Sequence, residues 1–326
     1  MSNFRKLSYD PLPFLLRSTS GSVVFFARRD LENENPGDKQ NLWTSHEAIS
    51  IIKKQKSDGR WEYPGGGNAR IRSTDDYDPL ETYRQLGLLV EEYGFDRTHP
   101  VIENAAQFLF GRQTDEGDFR GIYGRQYSPN YTAGIMELLI KAGYGEQRNI
   151  ERGFRWLLSM RQDDGGWAIP LRTNPFSSHK RWTEVLHSET LRPDISKPFS
   201  HLATGVVLRA FAAHSKYRMS DDAKRAGRLI TTRFFKADAY SDRKAPEFWE
   251  KVSFPFWFTD IVSVLDSLSL LGFRSNEQGI KGALEWLAAR QTSDGSFQIK
   301  LLRTRDKYLN YWVCLAICRI YKRFSD

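Results

Sequence analysis

The sequence predicts an all-α fold of about five to six helical hairpins in two concentric layers. Three observations predict it: a motif that recurs along the chain, an Asp-Gly stop after each copy's helix, and a more apolar helical segment after each stop. Self-similarity at intervals of a few tens of residues is the mark of repeated supersecondary units. The fullest copy is "RGFRWLLSMRQDDGGW", from Arg152 to Trp167. "SHEAISIIKKQKSDGRW" repeats it with Gln55, Asp58, Gly59 and Trp61. "ENAAQFLFGRQTDEGDF" carries Gln113, Gly117 and Phe119, and "KGALEWLAARQTSDGSF" carries Gln291, Asp294, Gly295 and Phe297. The interval from Gln162 to Gln291 is about two periods, so a decayed copy belongs between them. "KRAGRLITTRFF" fits, with Phe234 where glutamine is expected.

Each motif helix ends near its glutamine. Phe154, Leu157, Leu158 and Arg161 fall at helical spacing, and the following glycine tolerates the left-handed conformation that ends a helix. The second helices are expected at about 78–93, 128–143, 200–215, 255–272 and 307–322. "TAGIMELLIKAG", "LATGVVLRAFAA", "DIVSVLDSLSLLG" and "YWVCLAICRIY" hold few charges, so most of their circumference should be buried. The motif helices carry more Lys, Arg and Glu and should keep one wet face. These features suggest an inner and an outer ring. Residues 1–42 are expected as an N-terminal helical cap, and 43–326 as the repeat array. The loop 167–199, with four prolines, is longer than the other crossings; such loops are usually lids or disordered.

With 326 residues, 40% of them hydrophobic and 13% aromatic, the chain can bury a large core. The two cysteines, Cys314 and Cys318, argue against a disulfide-stapled secreted protein. No signal leader and no apolar stretch of the ~20 residues a membrane helix needs is visible, so a cytoplasmic location is expected. The formal charge of +8 reads first as a soluble basic surface; its sharper readings are attraction to an anionic membrane surface or a diphosphate. Nucleic acid is not expected, because the basic residues are dispersed and no reader motif occurs.

The pattern Lys/Arg-Gly-x-x-aromatic, then Gln, then Gly-x-aromatic resembles the QW repeat of squalene and oxidosqualene cyclases. Related repeats occur in protein prenyltransferase β subunits. Arg152-Gly153-Phe154 to Gln162 to Gly166-Trp167 matches in full, and Lys281-Gly282 to Gln291 to Gly295-Phe297 nearly so. "KYLNYWVCLAICRIYKR" resembles the last inner helix of the cyclases. The resemblance spans roughly residues 43–323 and implies an α/α toroid. It also implies that the repeat is a clasp: the glutamine amide bonds a neighbouring helix end and the aromatic ring covers it.

In such a ring every inner N-terminus faces one mouth, each with about half a positive charge from its dipole. Class II cyclases carry Asp-x-Asp-Asp-Thr-Ala there, and this chain does not. "STDDYDPLETYRQL" has Asp75-Asp76-Tyr77-Asp78 instead. Measured back from the end of each inner helix, the acid slots hold Glu81/Thr82, Asn130/Tyr131 and Thr259/Asp260. Asp260 and Glu81 are therefore the best-placed proton donors, with Asp78 and Asp76 as further acids; the structural alternatives are that Asp76 or Asp78 caps a helix and that Asp260 is a hydrogen-bonded helix-start acid. A lone donor must hold its proton near neutrality through burial or a like-charged neighbour.

Trp257 and Phe258 in "SFPFWFTD", with Tyr131, Tyr308, Tyr311 and Trp312 at matching places, could form an aromatic wall, and His201 starts an inner helix. Core packing explains the same aromatics. No metal site is expected, since the prenyltransferase Asp-x-Cys pair is missing and two thiols do not make a four-ligand zinc site. No cofactor motif is present. The expected ligand is an isoprenoid or other apolar small molecule, bound or cyclised in the central cavity. The alternatives are a non-catalytic toroid for an apolar ligand or a protein partner, and a carbohydrate enzyme with two carboxylates across the mouth.

Overall fold

A computed structural model describes residues 7–65, 74–120, 124–174, 184–185, 188–240, 243–302 and 306–325, with backbone only for 74–76. Its outer helices are α1 (Leu12–Leu16), α3 (His46–Ile52), α5 (Pro100–Gly111), α7 (Arg148–Ser159), α9 (Asp221–Thr231) and α11 (Gln278–Ala288). The inner helices are α2 (Gly21–Ala27), α4 (Thr74–Tyr93), α6 (Pro129–Leu139), α8 (His201–Ala213), α10 (Ile261–Leu270) and α12 (Leu309–Arg323). The described strands form one short parallel pair, Lys251–Val252 beside Lys300–Leu301.

Inner helices pack side by side in chain order from α4 to α12, and α2 fills the place between α12 and α4. The segment expected as a cap thus supplies the inner helix that closes the ring. Inner helices also pack against the next outer helix: α4 on α5, α6 on α7, α8 on α9, α10 on α11, and finally α12 on α1. The chain is an all-α toroid, an α/α barrel of helical hairpins. Burial follows the layers. In α8 nearly every residue from His201 to Ala212 is buried, whereas α7 and α9 bury one stripe each.

The repeated motif is a clasp between hairpins. Gln55 Nε2 donates to Val101 O in the first turn of α5 at 2.8 Å, and Gln113 Nε2 donates to Asn149 O in the first turn of α7 at 2.8 Å. Each amide also closes its own turn, on Gly59 O and Gly117 O. Gln162 departs from the pattern and donates to Asp194 O and Lys197 O in the long crossing. The motif aromatic locks outer to inner layer. The backbone N–H groups of Trp61, Phe119 and Trp167 donate to Thr82, Thr132 and Thr204 Oγ1 at 3.0, 3.0 and 2.8 Å. Gly295 has φ +86°, and a Cβ there would lie 2.4 Å from Asp10 O, so the turn demands glycine twice over.

The inner helix expected from 255 begins instead at Ile261. Residues 253–260, with Phe254, Phe256, Trp257 and Phe258, form an irregular, bent stretch, and Asp260 caps the helix. No helix among the described residues is long and apolar enough to cross a membrane.

Candidate functional site

The bore holds two hollows at opposite mouths. At the amino-terminal mouth a chamber of about 300 Å³ is lined by Leu80, Tyr83 and Arg84 of α4, Asn130 and Tyr131 of α6, Leu202 and Val206 of α8, and Arg243, Trp257 and Phe258. At the carboxy-terminal mouth a hollow of about 620 Å³ is polar, with Arg29, Asp30, Lys39, Glu91, Asp96, Lys141, Asp266, Arg319, Lys322 and Arg323 in its wall. Its carboxylates are paired: Asp30 with Arg29 and Arg319, Glu91 with Lys141, Asp96 with Lys39, and Asp266 with Arg323. Cations here also suit the negative ends of the inner helices.

Chamber shape depends on two glycines. A Cβ on Gly87 would lie 2.6 Å from the Trp257 ring, and one on Gly134 would lie 2.8 Å from the Tyr83 hydroxyl. Their bare backbones let these aromatics lean into the bore, where Tyr83 and Trp257 meet edge to face at 5.2 Å. Phe258 is covered by the Arg243 guanidinium at 3.4 Å.

Beneath the chamber lies a buried polar cluster. Arg209 Nε donates to Glu137 Oε2 at 2.8 Å, its Nη1 to Phe258 O at 3.2 Å, and its Nη2 to the Tyr83 hydroxyl at 3.4 Å. Lys141 Nζ donates to the other Glu137 oxygen at 2.7 Å. Burial opposes ionisation of Glu137, but Arg209 and Lys141 hold its carboxyl below the usual range. Burial pushes the Tyr83 phenol up to about 12.

Of the residues expected at the site, Tyr131, Trp257 and Phe258 line the chamber. The others are placed elsewhere. Trp312 is core, stacked on Phe254 at 5.4 Å, and Tyr311 stacks on Phe14 of α1 at 4.6 Å. The Tyr308 hydroxyl bonds Thr19 Oγ1 at 3.1 Å. His201 is buried against Trp249 at 4.5 Å, with Nδ1 3.8 Å from Asp238. Burial holds its imidazole below the usual value, with Asp238 opposing.

Asp78, Glu81 and Asp260 each have structural partners. Asp78 Oδ1 accepts from Tyr63 N at 3.0 Å, and its Oδ2 pairs with Arg60 Nε at 3.0 Å. It stands one turn before Thr82, as Ser128 and Ser200 stand before Thr132 and Thr204, but α4 already begins at Thr74, so Asp78 lies inside the helix and does not cap it. Glu81 accepts from Arg84 Nη1 at 2.7 Å and Gln85 Nε2 at 2.5 Å, beside the chamber wall. The Asp76 side chain lies outside the described residues. Asp260 caps α10: its Oδ1 accepts from Ser263 N at 2.9 Å, and Ser263 Oγ accepts from Asp260 N at 3.0 Å. Its Oδ2 is buried with no hydrogen-bond partner among the described residues, and burial pushes its pKa up to about 7 against the pull of Arg209.

Sequence reasoning missed Tyr83, Arg84, Glu137, Arg209 and Lys141. A signal was present: Glu137 and Arg209 are charges of opposite sign inside two of the most apolar inner segments. Among the described residues no cluster of His, Cys, Asp and Glu could hold a metal ion.

No family model matches the chain. No curated protein matches it. Solved structures do. A polysaccharide lyase aligns with 99% of this chain and 91% of its own, at 12% identity and TM-score 0.48. A type II terpene cyclase, MstE from Scytonema, aligns with 87% of this chain and 97% of its own, at 11% identity and TM-score 0.32. An α-amylase from Clostridium perfringens aligns with 85% and 80%, at 12% identity and TM-score 0.41. At these identities and scores the likenesses say nothing about activity.

Proposed function

We propose that this toroid binds an isoprenoid or similarly apolar chain in the chamber at its amino-terminal mouth. One observation carries the reading. Among the described residues the chamber wall is aliphatic and aromatic over Leu80, Tyr83, Tyr131, Leu202, Val206, Trp257 and Phe258, with Arg84, Asn130, Arg243 and the two tyrosine hydroxyls as its polar groups. Concave, mostly apolar walls with a few convergent polar groups suit small apolar ligands with one polar end. Binding needs no proton donor, and neither Asp78 nor Asp260 belongs to the lining.

A second reading, proton-initiated cyclisation of the bound chain, draws on Asp260. A carboxylic acid with a pKa of about 7 keeps its proton near neutrality and can donate it to an alkene; among the described residues its Oδ2 has no hydrogen-bond partner, although the side chain stands behind the chamber lining.

One experiment separates them. Wild type and Asp260→Asn are incubated with squalene and with fifteen- and twenty-carbon prenyl alcohols and diphosphates, and binding and products are followed. Saturable binding without product supports the first reading. Product from wild type that vanishes in Asp260→Asn supports the second. If none of these chains binds, both readings fall.

A further inference from the structure

The two hollows share the bore but no lining residue. Between them stands one run of polar side chains from three consecutive inner helices. Tyr83 of α4 belongs to the chamber wall. It accepts from Arg209 of α8, which donates to Glu137 of α6, which accepts from Lys141 just beyond α6. Lys141 also pairs with Glu91, and both belong to the polar hollow. Arg209 further holds Phe258 O, so the run is fastened to the chamber wall.

We infer that the Arg209–Glu137 pair, which stands just behind the lining and holds Tyr83 and Phe258, backs the floor of the chamber and limits the length of apolar chain it accepts. The inference rests on the ligand reading above. An aliphatic floor would yield by rotamer changes. A buried ion pair does not, because a methylene chain pushing between its members would leave two charges unpaired and out of reach of water. Rejection of a longer chain is then a repulsive device, which gives a steep cutoff.

The test compares three folded proteins for binding of ten-, fifteen-, twenty- and thirty-carbon prenyl alcohols. These are the wild type, the double variant Glu137→Leu/Arg209→Leu, and Val206→Phe. The double variant removes both charges together, and Lys141 keeps Glu91 as its partner. Val206 lines the chamber one turn before Arg209, so a phenyl ring there shortens the chamber from above. Wild-type affinity should rise with chain length to a limit and then fall. In the double variant the first length that wild type rejects should gain about tenfold, as added methylenes become buried. In Val206→Phe the limit should move to a shorter chain. Circular dichroism and thermal unfolding check each variant. Should the double variant not fold, the neutral, polar pair Glu137→Gln/Arg209→Gln takes its place, and Val206→Phe serves as the control that the chain occupies this chamber. The wild-type length limit retained once both charges are removed overturns the inference while leaving the chamber reading intact. Failure of wild type to bind any of the alcohols overturns the chamber reading, and the inference with it.

Discussion

Gln291 and Tyr9 hold each other across 282 residues of sequence: the Gln291 amide donates to Tyr9 O at 2.8 Å, and Tyr9 N donates back to Gln291 Oε1 at 3.0 Å. The same side-chain amide that joins one hairpin to the next here joins the last to the first. With α12 packed on α1 and α2, it makes the array a ring and not an open superhelix.

Removing that clasp should loosen the seam. Gln291→Ala is expected to cost about 0.5–1.5 kcal/mol, the usual net worth of such hydrogen bonds at an exposed position. Denaturant unfolding measures it. Hydrogen exchange should show faster opening of α1 and α11 than of α8, because only the former flank the seam.

Asp260 should contribute stability that falls as pH rises from about 4 to about 7, opposed near the top of that range by buried His201 and half-buried His99, whose pKa values burial lowers. Burial raises the Asp260 pKa to about 7, from an ordinary aspartate value of about 3.8, so the folded state holds the proton more tightly than the unfolded chain. The stability this contributes is full below the unfolded value and is lost as pH climbs through the folded one, by up to about 1.4 kcal/mol per pH unit. Buried Glu92, lifted for the same reason of burial, acts in the same direction. Asp260→Asn keeps a capping side chain and should flatten part of this slope. Chemical denaturation across pH checks it; an identical slope in the variant would remove Asp260 as its source.

Charge pairing in the bore should show strong non-additivity. Arg209→Leu alone leaves Glu137 buried with Lys141 as its remaining partner and should cost about 3–5 kcal/mol. The double change with Glu137→Leu should cost far less, because no charge is stranded. A double-mutant cycle by urea denaturation gives the coupling directly.

Gly87→Ala and Gly134→Ala should each deform the chamber. The added methyl would meet Trp257 at 2.6 Å and the Tyr83 hydroxyl at 2.8 Å. Overpacking of this kind costs about 1–3 kcal/mol. Indole fluorescence should report displacement of Trp257 in the first variant, and apolar-chain binding should weaken in both. Unaltered binding in both would show that the chamber does not depend on those two rings.

Much of the ring could be read from residue order. The glutamines, the Asp-Gly turns and the alternation of wet and dry helices are local patterns, and local hydrogen bonding and burial enforce them. Which aromatic ring faces the bore was not readable in the same way. Tyr131 and Trp312 occupy comparable places in their repeats, yet Tyr131 lines the chamber while Trp312 stacks on Phe254 in the core. A few degrees of helix rotation and the size of the neighbouring residue decide between the two.

The sequence by itself determined the hairpins, their two layers and the clasp that joins them, because each rests on helical period, glycine geometry and a donor at a constant offset. Only the tertiary structure decided that α2 completes the inner ring, that Asp78 and Asp260 serve as staple and cap, and that Arg209 of one helix meets Glu137 of another beneath an apolar chamber. Those outcomes depend on contacts between residues far apart in the chain, and on charges whose burial is tolerable only because packing brings an opposite charge within hydrogen-bonding reach.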